Sequence, residues 1–262
     1  MDRKLNFLKG IKNPKRIIHH LITLIDDKFK LTEVAKTREG GQRIVINSWD
    51  SAKDSRDFVI LAHIQRYEWV LPYVKGLYVL DAGCGSGYGA YHLAKGGANL
   101  VVGIDISIKA INFARKYYKA KNLFYLQGDV CNLGFKDNYF DAIVSFDVLE
   151  HLNSRDQEMF VSELARVLNI GGTLYIGCPN ATVSMKNNPH HLKELTKIEF
   201  MSLIAKNFSI IKILGQDILK DGIRQKENWL NVFYDLSFQD LVIVEEECDK
   251  CYGLLAICKA KR

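Results

Sequence analysis

No stretch of this 262-residue chain strings together the roughly 18–20 apolar residues that a membrane-spanning helix needs, so a helical span is not expected. The opening "MDRKLNFLKG" lacks an apolar core followed by a small-residue cleavage site, so it does not read as a secretory leader, and the cytoplasm is the expected location. A second cysteine pair is also missing. Cys248 and Cys251 form a single CxxC, and a structural zinc site needs two further ligands at matching spacing. Cys84, Cys131, Cys178 and Cys258 sit in apolar, strand-like contexts, as buried thiols of a reducing compartment do. Internal repeats and low-complexity segments are absent. So is a strong charge on the body of the chain. Residues 1–30 carry 8 Lys/Arg against 3 Asp/Glu, while the remaining residues carry 28 against 27. An enzyme of long nucleic acids usually surrounds its cleft with positive charge. The near-neutral body argues against such a substrate.

What is present is ordinary in bulk and specific in pattern. The composition, 48% hydrophobic and 25% charged, is that of a globular protein long enough to bury a full core. Residues 15–29 place Ile18, Leu21, Ile22 and Ile25 on one helical face behind basic residues, which suits either packing on the main domain or a peripheral membrane or partner contact. A polar, glycine-containing flap follows, and residues 57–71 read as a helix. We therefore expect residues 1–56 to form a basic helix and flap, and residues 57–262 the main domain.

From residue 77 strands alternate with helices. "LYVLD", "NLVVGID", "NLFYLQGD", "YFDAIVSFD" and "TLYIGCPN" read as strands, with "FSIIKIL" and "GLLAICKA" as late ones. Helices are expected through Lys95, over 107–120, over 154–168 behind a Ser154/Gln157 capping box, and over 197–206 behind Thr196/Glu199. Such alternation predicts an α/β fold with a doubly wound, mostly parallel sheet.

"VLDAGCGSGYG" is the most informative stretch. Gly83, Gly85 and Gly87 follow a strand and precede a helix, where glycines allow a tight turn and close approach of a ligand. Asp105 ends the second strand, where it can accept both hydrogen bonds of a ribose diol. Asp129 ends the third, where it can accept from an adenine amino group. Each has a plainer reading: turn glycines, a helix-start charge at Asp105, a turn Asp at Asp129. Asp81 decides between ligands. A pyrophosphate would be repelled by it, whereas a ligand with an ammonium and a sulfonium would be attracted. The pattern prefers S-adenosylmethionine to a nicotinamide dinucleotide.

With "VLDAGCGSGYGAYHLA", "VVGIDISIKAINFAR", "GDVCNLGFKDNYFDAIVSFDVLEHL" and "ELARVLNIGGTLYIGCPN" in order over residues 66–215, the sequence resembles class I S-adenosylmethionine-dependent methyltransferases. The resemblance implies a Rossmann-like sheet of seven strands with an antiparallel last hairpin. It implies that Asp81, Gly83, Gly85 and Gly87 hold the methionine part, Asp105 the ribose, and Asp129 with Val130 the adenine. Ile106 and Phe146 complete the expected cofactor-binding set.

"SFDVLEHL" sets Asp147, Glu150 and His151 within five residues after the fourth strand, where the acceptor should sit. Three readings compete. The acids start a helix and favour its dipole. His151 is a general base oriented by a carboxylate such as Glu150. Or the three coordinate a divalent cation. The last gains from "HHLKELT": His191, Glu194 and Thr196 resemble a segment of small-RNA 3′-terminal 2′-O-methyltransferases, whose magnesium ligands correspond by position to Asp147, Glu150, His151 and His191. Asp147 departs from the first Glu of that pattern. His190 is a rival donor. Magnesium or manganese suits such ligands. A base or metal here favours an oxygen acceptor, and the stretch from "IQRYEWVLPYVKGLYVLD" through "HHLKELT" to "IVEEECDKCYGLLAICK" resembles methyltransferases of surface-glycan assembly. The expected acceptor is a small molecule or glycan hydroxyl. RNA ribose 2′-O-methylation and a binding module that has lost catalysis are the alternatives.

Overall fold

The computed structural model describes residue 53 and residues 58–184, 188–220, 223–224, 237–245 and 248–261. The expected basic helix over 15–29 lies outside the described residues, as does nearly all of the flap. The first described helix, α1 (Phe58–Val70), matches the expected 57–71 and runs into a 3-10 turn at Leu71–Tyr73.

Nine strands follow among the described residues: β1 (Tyr78–Ala82), β2 (Leu100–Asp105), β3 (Leu123–Gln127), β4 (Phe140–Phe146), β5 (Leu168–Pro179), β6 (Phe208–Lys220), β7 (Ile223–Arg224), β8 (Leu241–Val244) and β9 (Gly253–Ala260). Four helices lie between them: α2 (Tyr88–Lys95), α3 (Ile108–Tyr117), α4 (Ser154–Val167) and α5 (Lys197–Ile204). The sheet order is β3-β2-β1-β4-β5-β9-β6-β7. The first five strands are mutually parallel, and β9 is antiparallel to both of its neighbours, β5 and β6. This is the expected seven-stranded frame with two short additions. Both lie at the far end of β6: Gly215 and Gln216 pair with β9 and β8 alike, Asp217 and Ile218 with β8, and its last two residues form a hairpin with β7.

Period-two alternation divides the core. Val79 and Val101 face one side of the sheet, with Ile64, Leu93 and Ile111 of α1, α2 and α3; Leu80 and Val102 face the other, with Phe160, Leu164 and Phe200 of α4 and α5. The helix starts follow local chemistry. The Thr196/Glu199 capping box is formed, with Glu199 N–H on Thr196 Oγ1 at 3.3 Å and Thr196 N–H on Glu199 Oε2 at 2.9 Å. On α4 the cap is Asn153 rather than Ser154; its Oδ1 accepts from Asp156 N–H at 3.0 Å.

The functional consequence is positional. β1 leads outward to β2 and β3, and the chain returns to place β4 on the other side of β1. Open α/β sheets bind ligands at this reversal, beyond the carboxyl ends of the strands. Asp81, Asp105 and Asp147 all stand there.

Candidate active site

Between β1 and α2 the chain turns on Gly83, Gly85 and Gly87, with φ of 82°, 52° and 89°. A Cβ on Gly87 would meet Ala114 Cβ at 2.5 Å and Tyr125 Cε1 at 2.7 Å, so this glycine seats α2 against α3 and β3. A Cβ on Gly85 would meet nothing within 4 Å. Gly85 faces open space, which is where a ligand can approach backbone. Asp105 braces the turn: one oxygen accepts from Gly85 N–H at 3.0 Å, the other from Ser107 N–H at 2.9 Å. Asp81 is fully buried under α1, with Tyr67 Oη donating to Oδ1 at 3.0 Å. Burial pushes its carboxyl up to about 7, although the Tyr67 bond pulls the other way. A cation beside it would restore its charge. Asp129 Oδ1 accepts from Cys131 N–H at 2.9 Å. Val130 and Phe146 are buried and Ile106 half-buried. The residues expected for a cofactor thus line one edge of the sheet.

The end of β4 holds a second group. Asp147 is one of two non-glycine residues with positive φ, at 54°, among the described residues. Its Oδ2 takes an ion pair with Arg66 and another with His63 Nε2 at 2.7 Å. Burial alone would raise this carboxyl; Arg66 and then His63 more than offset it and hold it below the usual range. Glu150 is 1% exposed, and burial together with the nearby Asp147 pushes it well above its ordinary value. Leu149–His151 is a 3-10 turn, not the start of a longer helix.

Glu150, His151 and His191 come together: one ligand atom from each lies within 4.8 Å of the other two. His151 Nδ1 contacts the His190 carbonyl at 2.9 Å, and His191 Nδ1 contacts Glu194 Oε1 at 2.5 Å. The His151 ring therefore donates Nδ1–H outward and leaves Nε2 as a lone pair, the outer-shell arrangement typical of metal-ligating histidines, whereas His191 Nε2 lies 3.0 Å from Asn188 Nδ2, whose amide occupies that lone pair. Glu150 Oε2 is buried without a hydrogen-bond partner among the described residues, which fits a cation. Asp147 stands outside this group, and its Oδ2 is held by Arg66 and His63. His190 is exposed and contributes its backbone carbonyl, not its ring, to His151. The orienting partner of His151 is likewise that carbonyl and not Glu150 or another carboxylate. Cys248 and Cys251 are buried, and neither joins the cluster. Burial, aided by His191, keeps His151 below its ordinary value and hence neutral.

Residues 80–176 match the family model described as a methyltransferase domain. That segment is a methyltransferase domain. A probable S-adenosylmethionine-dependent methyltransferase of Mycolicibacterium smegmatis is 35% identical over 143 residues, covering 52% of this chain and 54% of that protein. A fatty-acid O-methyltransferase of the same organism is 39% identical over 100 residues, 38% of this chain and 36% of its own. The chain spans about half the length of the first relatives it matches. Among solved structures, an S-adenosylmethionine-dependent methyltransferase from Thermotoga maritima aligns with a TM-score of 0.59 at 20% identity, covering 81% of this chain and 93% of that one. One from Mesorhizobium loti gives 0.56 at 18% identity, covering 76% and 97%. These structures share the fold.

Residues without a sequence motif also reach this site. His63, Arg66 and Tyr67 of α1 lie at i, i+3 and i+4 and reach Asp147 and Asp81 from one helix face. Gln216 of β6 joins them, accepting from Arg66 Nε at 2.5 Å and donating to Gln65 Oε1 at 2.7 Å. The available signal was "HIQRYE", five polar side chains in a helix that is apolar on either side of them.

Proposed function

We propose that the protein transfers the methyl group of S-adenosylmethionine to an oxygen of a small-molecule or glycan acceptor. The observation that carries this reading is the juxtaposition at the sheet reversal. An open glycine turn braced by Asp105 lies on one side, and the Glu150–His151–His191 cluster beyond β4 on the other. S-adenosylmethionine supplies an already activated methyl group on a sulfonium. The protein's tasks are then alignment and, for a hydroxyl, proton removal. Neutral His151 can take that proton directly. With a divalent cation held by Glu150, His151 and His191, an acceptor oxygen there would lose its proton more easily. Either role favours oxygen over an amine. The similarity to a fatty-acid O-methyltransferase supports oxygen as the acceptor atom.

Two measurements test this. Labelled S-adenosylmethionine incubated with hydroxyl-bearing glycans and small molecules should yield labelled ether and S-adenosylhomocysteine. Label appearing only on nitrogen would overturn the oxygen assignment. For the cation, manganese binding followed by electron paramagnetic resonance should show one site that His191→Ala abolishes. Absence of a site in the wild type would remove the metal role and leave His151 as base.

RNA ribose 2′-O-methylation rests on the same cluster. The near-neutral body of the chain stands against it. A steep loss of RNA affinity with salt would revive it.

A further inference from the structure

Asp147 is built in an unusual way for a residue outside the metal-type cluster. It directly follows β4, in a left-handed backbone conformation that side-chain-bearing residues adopt rarely and that clusters at functional sites. One carboxylate oxygen, Oδ2, is held from two sides by Arg66 and His63, both on α1. Arg66 is 4% exposed and is itself fixed by Gln216. His63 is fixed through its other nitrogen, Nδ1, by Tyr88 Oη at 2.7 Å. Three elements, α1, β6 and the start of α2, thus converge to hold one oxygen. The other oxygen, Oδ1, is buried and has no hydrogen-bond partner among the described residues. A buried anionic oxygen left unmatched is costly, and such atoms in folded proteins generally await a ligand, ion or water.

The clamp fixes which chemistry Oδ1 can meet. Arg66 and His63 keep Asp147 ionised, so Oδ1 offers lone pairs and no proton. It repels a second carboxylate and welcomes an N–H or O–H donor. Its place beyond β4, linked through His63 to Tyr88 at the glycine turn, sets it beside the turn where the proposed cofactor would lie.

The geometry points to Asp147 Oδ1 as the hydrogen-bond acceptor that orients the methyl acceptor's own O–H before that proton is removed, with His63 and Arg66 as positioning residues. The acceptor class is accordingly a hydroxyl, not a carboxylate. This rests on the methyltransferase reading and narrows it.

The test needs no knowledge of the acceptor. Sinefungin is a cofactor analogue that carries a primary ammonium where the sulfonium carries its methyl, so it places N–H donors at the transfer position. Calorimetry on the full chain should give wild-type affinity for sinefungin about tenfold or more above that for S-adenosylhomocysteine, the gain of one charge-assisted hydrogen bond. Asp147→Asn should bring the two within about twofold while leaving S-adenosylhomocysteine affinity within about threefold. His63→Gln and Arg66→Lys keep Oδ1 but loosen it, and should give intermediate ratios. A role in folding alone would move both affinities together. A wild-type preference absent or reversed, or a preference that Asp147→Asn leaves intact, overturns the assignment. If Asp147→Asn fails to fold, the wild-type comparison still decides. Failure of the wild type to bind S-adenosylhomocysteine at all would instead count against the methyltransferase reading.

Discussion

At the scale of single residues, two buried carboxyls carry opposite perturbations, and each yields a prediction. Asp81 is pushed up to about 7 chiefly by burial, so without ligand it is largely protonated below that pH. Binding a cationic methionine end favours its ionised form and expels the proton. Affinity for S-adenosylmethionine should therefore rise between pH 6 and pH 8, by up to about tenfold per unit below the titration point. Calorimetry in buffers of different ionisation enthalpy should show proton release at pH 6 that fades by pH 8. PH-independent binding without proton release would contradict the assignment of Asp81 to the cationic end. Asp147 is the reverse case. Its folded value lies below the unfolded one because Arg66 and His63 outweigh burial. Its contribution to stability is present above roughly pH 4 and is lost as pH falls through the folded value. Asp147→Asn should cost about 3 kcal/mol at pH 7, since it leaves Arg66 buried without its anion, and the deficit should shrink in acid. Urea unfolding at the two pH values measures both.

At the scale of elements, legibility in the sequence tracked the range of the interactions. The five parallel strands and their helices were readable because apolar runs, glycine turns and capping residues are local signals. Thr196 and Glu199 formed the capping box their spacing implies. Asn153 displaced Ser154 as the α4 cap because the residue just before the helix, in extended conformation, aims its side chain at the free N–H groups. Thr196→Ala should cost about 1 kcal/mol, and Ser154→Ala much less, by thermal or urea melts. A larger loss at Ser154 would contradict the Asn153 cap. The additions on β6 were not readable, since pairing with β8 depends on partners more than twenty residues away. The same limit hid half the site. Glu150 and His151 announced themselves by spacing, and His191 by resemblance. Arg66 and His63 gain meaning only when α1 packs over β4, and that contact spans 81 residues for Arg66 and Asp147. It also ties Asp147, adjacent in sequence to the metal-type residues, to α1.

At the scale of the whole molecule, the described part is one sheet with its ligand edge assembled and an α1 helix laid across it. No helix among the described residues is long and apolar enough to cross a membrane. The basic residues 1–30 offer a peripheral contact with an anionic surface instead, a proposal that co-sedimentation tests. The full chain should pellet with anionic vesicles and not with neutral ones, and a chain lacking residues 1–30 should pellet with neither. Equal recovery of both chains with anionic vesicles would remove the idea.

The central claim is that the glycine turn, Asp81 and Asp105 hold S-adenosylmethionine at the sheet reversal. Calorimetric titration of the full chain with S-adenosylmethionine tests it most directly, with Asp105→Ala alongside. The account predicts one site per chain in the wild type and a loss of at least about tenfold in Asp105→Ala, the consequence of removing the brace on Gly85 together with the ribose partner. No binding by the folded wild type, or equal binding by Asp105→Ala, would contradict it.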